Sequence, residues 1–253
     1  MHSQINSIED LLAFVKSNRK NSGNIHLREW FRGHSNNSYK LHPGIFRKAF
    51  KDETERLRQE NHLSQDFMIQ SALVNEQHNN VERYFLQQHY GMPTRLLDWT
   101  SNPLVALFFA LDGNDNKDGE LFTLDAYQFD INKTRSKFGI ATMNNAILKE
   151  AIDPCFSWKP LSSYGAKYPS FIIPTRPKHN DSRMVLQSSF FTFHAPGTEI
   201  LTVKENPSLK SAIIPQNIKM NLKKDLASLG INHYSIYGDL SNLSKKIRFD
   251  YDF

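Results

Sequence analysis

One cysteine, Cys155, occurs in 253 residues, so no disulfide can close within the chain. Folding must rest on a core alone, which suits a reducing compartment. No neighbour of Cys155 in sequence would lower its thiol pKa, and the residue reads as buried packing rather than as a nucleophile. No apolar run approaches the roughly 20 residues that a membrane helix needs. The first residues, Met1 to Ser17, show neither a cationic n-region nor an apolar h-region. A cytoplasmic protein without membrane contact is the expectation. A Gly-x-Gly-x-x-Gly turn after a strand is missing, and so is a Gly-Lys-Ser/Thr loop, which removes the phosphate cradles of Rossmann and P-loop proteins. There is no Gly-x-Ser-x-Gly elbow for a serine hydrolase. The histidines form no His-x-x-x-His pair and a lone cysteine cannot build a thiolate site, so no metal site is expected.

What the chain does hold is aromatic and mildly basic. Eighteen Phe and nine Tyr supply a large core, and 31 Lys and Arg against 26 Asp and Glu leave a net charge of +5. That excess favours an anionic partner such as nucleic acid or a phosphorylated ligand, beside the plainer reading of a solvated basic surface. Ser7-Ile8-Glu9-Asp10 opens a helix through about Asn18, and the organisation expected is this helix at 1–24 packed on one domain at 25–253. A strand is expected from His26 to Arg32. Helices follow from about Glu53 to Glu76 and from Asn80 to Tyr90, the second stopped by Gly91 and Pro93. Arg95–Asp98 reads as a strand end, and Asn102-Pro103 as the capped start of an apolar, buried helix. A strand at Glu120–Ala126, an irregular proline-rich region at 150–180, and strands near 188–194 and 198–203 come next. A helix at about 218–229, a strand near Tyr234–Ile236 and a last helix through Ile247 complete the reading. Helices mixed with scattered strands point to an α+β fold, a single domain with a central mixed or split sheet flanked by helices.

Two segments concentrate chemistry. In the first, Trp30-Phe31-Arg32-Gly33-His34, an Arg ends an apolar strand beside a glycine. Such a guanidinium can grip phosphate or carboxylate with two parallel bonds, Gly33 allowing close backbone approach, or it can pair with an internal carboxylate such as Asp98. The second runs from Gln88 to Pro103 and gathers His89, Tyr90, Arg95, Asp98, Trp99, Thr100 and Ser101 on a Gly/Pro-stiffened loop. Rigid loops on a fixed scaffold are where binding and catalysis collect. His89 can titrate or donate to an anion. Trp99 can stack on a base or sit in the core.

Trp-Phe-Arg-Gly followed by Gln-His-Tyr-Gly-Met-Pro-Thr-Arg-Leu-Leu-Asp-Trp-Thr-x-Asn-Pro-Leu-Val-Ala-Leu-Phe-Phe-Ala resembles the signature of FRG domains, a family named for the triplet Phe31-Arg32-Gly33. A looser match is Arg183–Thr192, with Gln187 in place and Ser189 near where the family shows glycine. The stretches Leu229–Ile231 and Tyr237–Leu240 are similar to the family's C-terminal end. The likeness spans about residues 25–247. Bacterial and phage-defence settings go with the family, which implies a toxin or antiphage defence effector with an antitoxin or regulatory protein as partner.

The order of elements further resembles an ADP-ribosyltransferase that consumes NAD. Under that likeness Arg32 grips the NAD phosphates or ribose, and Thr100 and Ser101 flank the nicotinamide. Gly33, Tyr90, Arg95 and Trp99 complete the binding set. Gln187 takes the late position, with Glu199 as substitute. An amide can hydrogen-bond a ribose hydroxyl but cannot act as a base, so His89 or Asp98 would take over the proton chemistry. Two other readings stand beside it: a non-enzymatic nucleotide- or RNA-binding module using Arg32, His89 and Arg95, and a nuclease holding Mg²⁺ with Asp98, Glu120 and Asp125.

Overall fold

The computed structural model describes residues 3–18, 29–72, 79–129, 140–142, 144–157, 172–178, 181–195, 201–204 and 206–253. Eight strands form one mixed sheet in the order β1-β8-β4-β2-β3-β7-β6-β5. They are β1 (Ser3–Gln4), β2 (Glu29–His34), β3 (Leu96–Thr100), β4 (Gly119–Asp125), β5 (Ala141–Thr142), β6 (Ile172–Arg176), β7 (Ser189–His194) and β8 (Leu209–Ile214). Only the outer pairs β1–β8 and β5–β6 are parallel. The helices are α1 (Ile8–Asn18), α2 (Glu53–Gln70), α3 (Asn80–His89), α4 (Pro103–Leu111), α5 (Ala146–Ile152), α6 (Ser182–Leu186), α7 (Lys219–Ser228), α8 (His233–Tyr237) and α9 (Leu240–Asp250).

Strand alternation sorts the core into three clusters. On one face, Phe31, Leu121, Ala212 and Ile214 pack under α1, α4 and α7. Leu96, Phe191, Phe193 and Ile173 sit on that same face of the other half-sheet, beneath α3 and α5. The opposite face is one continuous layer that includes Trp30, Leu97, Trp99, Phe122, Leu124 and Phe190. The first face therefore carries two separate helical layers with a gap between them.

The gap lies over a split in the sheet. β2 pairs with β4 along six residues, from Glu29↔Asp125 to His34↔Glu120, and β3 with β7 along five. β2 and β3 meet at a single pair, Phe31↔Thr100. Arg95 accepts from His194 and Ser101 donates to Ser188, so odd-numbered residues of β3 turn their backbone to β7 and even-numbered ones turn it to β2. Asp98 thus offers its carbonyl to a neighbour that has veered away. A side chain fills the place: Arg32 Nη1 donates to that oxygen at 2.7 Å.

Packing alone requires a glycine at Gly33, whichever contact it also offers a ligand. A Cβ there would stand 2.0 Å from the carbonyl oxygen of Ala106 and 2.5 Å from the nitrogen of Ala110, both backbone atoms of α4. The helix lies directly on the strand. Gly33→Ala is expected to cost about 1–3 kcal/mol through forced separation of α4 from β2, measurable by urea unfolding. An unchanged midpoint would contradict this account.

Several expectations are corrected. The segment Tyr234–Ile236 is helical, because Asn232 and Ser235 form a reciprocal cap that starts α8. Within the expected irregular region β6 forms in spite of Pro174, whose neighbour on the far side, β5, begins pairing only at Thr175. β8 went unread, although its buried positions Leu209, Ala212 and Ile214 border β4. Near 198–203, residues 196–200 lie outside the described set, as do His26 to Arg28 and residues 73–78, and Leu201 makes an isolated bridge to Leu41.

Candidate functional site

A cleft of about 850 Å³ occupies the gap. β2 contributes Phe31 to His34, the following loop Tyr39, Lys40, His42 and Arg47, and the end of α3 Gln88 to Gly91. β3 adds Asp98 to Thr100, α4 adds Ala106 and Phe109, and α6 with the start of β7 adds Arg183, Gln187 and Ser189. Four Arg or Lys side chains face one carboxylate, Asp98.

Arg32 is the centre of this arrangement. Its Nη1 holds the Asp98 carbonyl and lies 3.6 Å from the Asp98 carboxylate, and its Nε donates to His34 Nε2 at 3.0 Å. Nη2 has no partner among the described residues. Burial lowers the Arg32 pKa, Asp98 opposes the shift and Arg47 adds to it, yet a guanidinium stays charged at neutral pH. Burial, then the Arg32 charge, push His34 down to about 3. His34 is therefore neutral and free to accept from Arg32. His42 is also lowered, by burial and by Arg47 and Lys40. Four cations beside one carboxylate give the cleft an excess of positive charge.

The motif loop is braced from behind. Gln88 donates to the Asp98 carboxylate at 2.8 Å and accepts from Thr94. His89 Nε2 lies 3.1 Å from Asp181, and Arg183 donates to the His89 carbonyl while stacking over Tyr237. Burial outweighs Asp181 and lowers the His89 pKa, so the ring is neutral at physiological pH. Gln187 donates to the Ile236 carbonyl at 3.3 Å, and its own carbonyl accepts from Thr100 at 2.6 Å. Before β7 the residue in the left-handed region is Ser188, φ 47°, so the position that favours glycine is one earlier than the sequence suggested.

The structure brings Arg32, Gly33, His89, Tyr90, Asp98, Trp99, Thr100 and Gln187 to one cleft although the two segments are far apart in sequence. It leaves out Arg95 and Ser101. Arg95 is buried behind β3 and donates to Glu60 at 2.7 Å, to the Ala151 carbonyl and to Cys155. Ser101 does not line the cleft, and its backbone N–H donates to the Ser188 carbonyl at 3.1 Å. The Trp99 indole belongs to the core, donating to Thr192, and is not free to stack on a ligand. The Thr100 hydroxyl is occupied too, donating to Gln187 and accepting from Asn102. A carboxylate such as Asp98 within reach of Arg32 or Arg95 is the expectation for a buried guanidinium, and Asp98 meets it for Arg32 while Glu60 pairs with Arg95. Cys155 is buried, its thiol pushed up to about 12 by burial and by Glu60, in keeping with packing.

Sequence reasoning passes over Lys40 and His42 and gives Arg47, which follows the first segment, no role, because they sit on an irregular loop after β2 without a spacing signal. Glu199 and His179 lie outside the described residues. Among the described residues no three His, Cys, Asp or Glu gather as a metal set, so Asp98, Glu120 and Asp125 do not form one. No described helix is long and apolar enough to cross a membrane.

A family model described as FRG domain matches residues 28–119. No curated protein and no solved structure matches the chain.

Proposed function

Starting from an FRG-domain chain whose matched segment runs from β2 to the start of β4, we propose an NAD-consuming ADP-ribosyltransferase with its site in the cationic cleft. The observation that carries the reading is convergence. β2, β3 and β7 lie side by side, and from them Arg32, Thr100 and the neighbouring Gln187 line one cleft whose cations outnumber its single carboxylate. The volume falls in the range of small-molecule and cofactor sites.

In this reading the free Nη2 edge of Arg32 holds the diphosphate. Phe109 and Ala106 form the apolar wall for the nicotinamide, and Gln187 holds the adjoining ribose. Transfer breaks the bond between ribose C1′ and the nicotinamide nitrogen, whose electron pair leaves with neutral nicotinamide. The acceptor nucleophile forms the new bond to C1′ and gives its proton to a cleft base. The proposal assigns that role to Asp98, whose side chain is 54% exposed, with neutral His89 held by Asp181 as the other candidate. The fixed dipoles and charges of the cleft stabilise the charge that shifts in the transition state.

A second reading has its own support. The Gln187 amide is engaged by Ile236 and the Asp98 carboxylate by Gln88, which suits a nucleotide-binding module without chemistry. Calorimetry with NAD, followed by an assay of nicotinamide release with RNA, DNA and lysate proteins as acceptors, separates the two. Binding with release is expected. Binding without release under every acceptor would leave the module, and neither NAD binding nor release would defeat the transferase in favour of a module for another nucleotide or RNA.

A further inference from the structure

The wide end of the cleft carries two exposed aromatic rings. β2 and β3 run antiparallel from their contact at Phe31 and Thr100, so the gap opens toward His34 on one arm and Leu96 on the other. The chain leaves β2 at that end and comes back to β3 through it. Tyr39 follows the first arm and Tyr90 precedes the second. Both line the cleft, yet they are 50% and 61% exposed. Neither ring is loose. The Tyr39 hydroxyl accepts from Asn114 at 3.1 Å and its ring meets His34 edge-on, while Tyr90 stands edge-to-face on His89 with centroids 4.9 Å apart. Around them Lys40 and Arg47 have no ion-pair partner among the described residues.

We propose that this mouth binds single-stranded nucleic acid, with bases stacked on Tyr39 and Tyr90 and phosphates on Lys40 and Arg47. Fixed aromatic faces interleaved with unpaired cations match the chemistry of an unpaired strand, because every base has a π-face and every linkage a charge. A duplex keeps its bases in its own stack and has only the charge to offer. An acidic peptide would engage the cations but has little use for two ring faces. That the strand is the ADP-ribose acceptor rests on the transferase reading, whereas its binding does not.

The test is anisotropy of a dye-labelled short oligonucleotide with the full chain, run over a range of salt. Single strand is expected to bind at least about tenfold tighter than duplex of the same sequence. Tyr39→Ala and Tyr90→Ala should each weaken it at least about fivefold, and Tyr39→Phe and Tyr90→Phe should not, since stacking on an aromatic face is what is lost. Lys40→Ala and Arg47→Ala should each lower the slope of log affinity against log salt by about 0.7. Equal affinity for duplex and single strand would overturn the proposal, as would folded alanine variants that bind like the parent. So would displacement of the strand by an acidic peptide with no dependence on either tyrosine. Strand binding without nicotinamide release supports this surface while the transferase reading fails; nicotinamide release without strand binding does the reverse.

Discussion

Arg32→Ala should abolish nicotinamide release and weaken NAD binding at least about thirtyfold while the protein stays folded. The loss follows from truncating one partner of a charged, hydrogen-bonded contact inside a cleft, which costs about 2–5 kcal/mol of affinity. Stability should fall by no more than about 2 kcal/mol, because among the described residues the one backbone group left unmet is the Asp98 carbonyl, which the cleft exposes to water. Arg32→Lys should restore little, since an ammonium cannot hold that carbonyl, His34 and a phosphate with a planar fork. The His34 resonances supply an independent readout. With the Arg32 charge gone the ring's pKa should rise from about 3, which a pH titration by NMR would follow. An Arg32→Ala protein that binds NAD normally would remove the centre of the proposed site, and one that fails to fold would make the residue a structural joint.

Arg95→Met should have the opposite profile, a large loss of stability and no direct effect on ligand. Arg95 and Glu60 are 2% and 1% exposed, and the guanidinium lies over the Phe193 ring. Glu60 also accepts from Tyr84 and Arg56, and the Tyr84 hydroxyl accepts from the Arg95 backbone, so α2, α3 and β3 share one polar knot. Burial pushes the Glu60 carboxyl up, but Arg95, Arg56 and Tyr84 more than offset it and keep it ionised. Removing Arg95 strands much of that charge in the interior. A loss of about 3–5 kcal/mol in urea unfolding is expected. A loss under about 1 kcal/mol would mean that Arg56 alone carries the carboxylate. Impaired NAD binding in a sample shown to be fully folded would return Arg95 to the ligand site.

The contrast between these two arginines marks where sequence reasoning reaches and where it stops. The signature segments are legible because unusual residues stand on apolar elements: an Arg beside a Gly at a strand end, and a polar loop feeding an apolar helix. Their convergence was a fair expectation. Which motif residue turns outward was not, since Arg95 and Arg32 look alike until the partner is known, and Glu60 lies 35 residues before Arg95 on a helix that reads as uniformly polar. Helix ends were read well where caps announce them, as at Asn102-Pro103. At α8 the β-prone Tyr234 and Ile236 suggest a strand, but the reciprocal cap of Asn232 with Ser235 starts a helix. Gly33 was assigned to a ligand, and only the packing of α4 shows what occupies its empty side.

The single-pair joint between β2 and β3 has a mechanical meaning. Each half-sheet has its own ladder and its own helical cover on the cleft face, so at this seam the domain is two plates joined on that side by one backbone pair, the Arg32–Asp98 contact and α4, and on the other by a shared apolar layer. A ligand gripped by Arg32 and Arg47 on one plate and by Arg183 on the other would act as a suture across the seam. Its binding energy would then double as folding energy, and the chain's thermal midpoint would climb with ligand concentration by simple mass action.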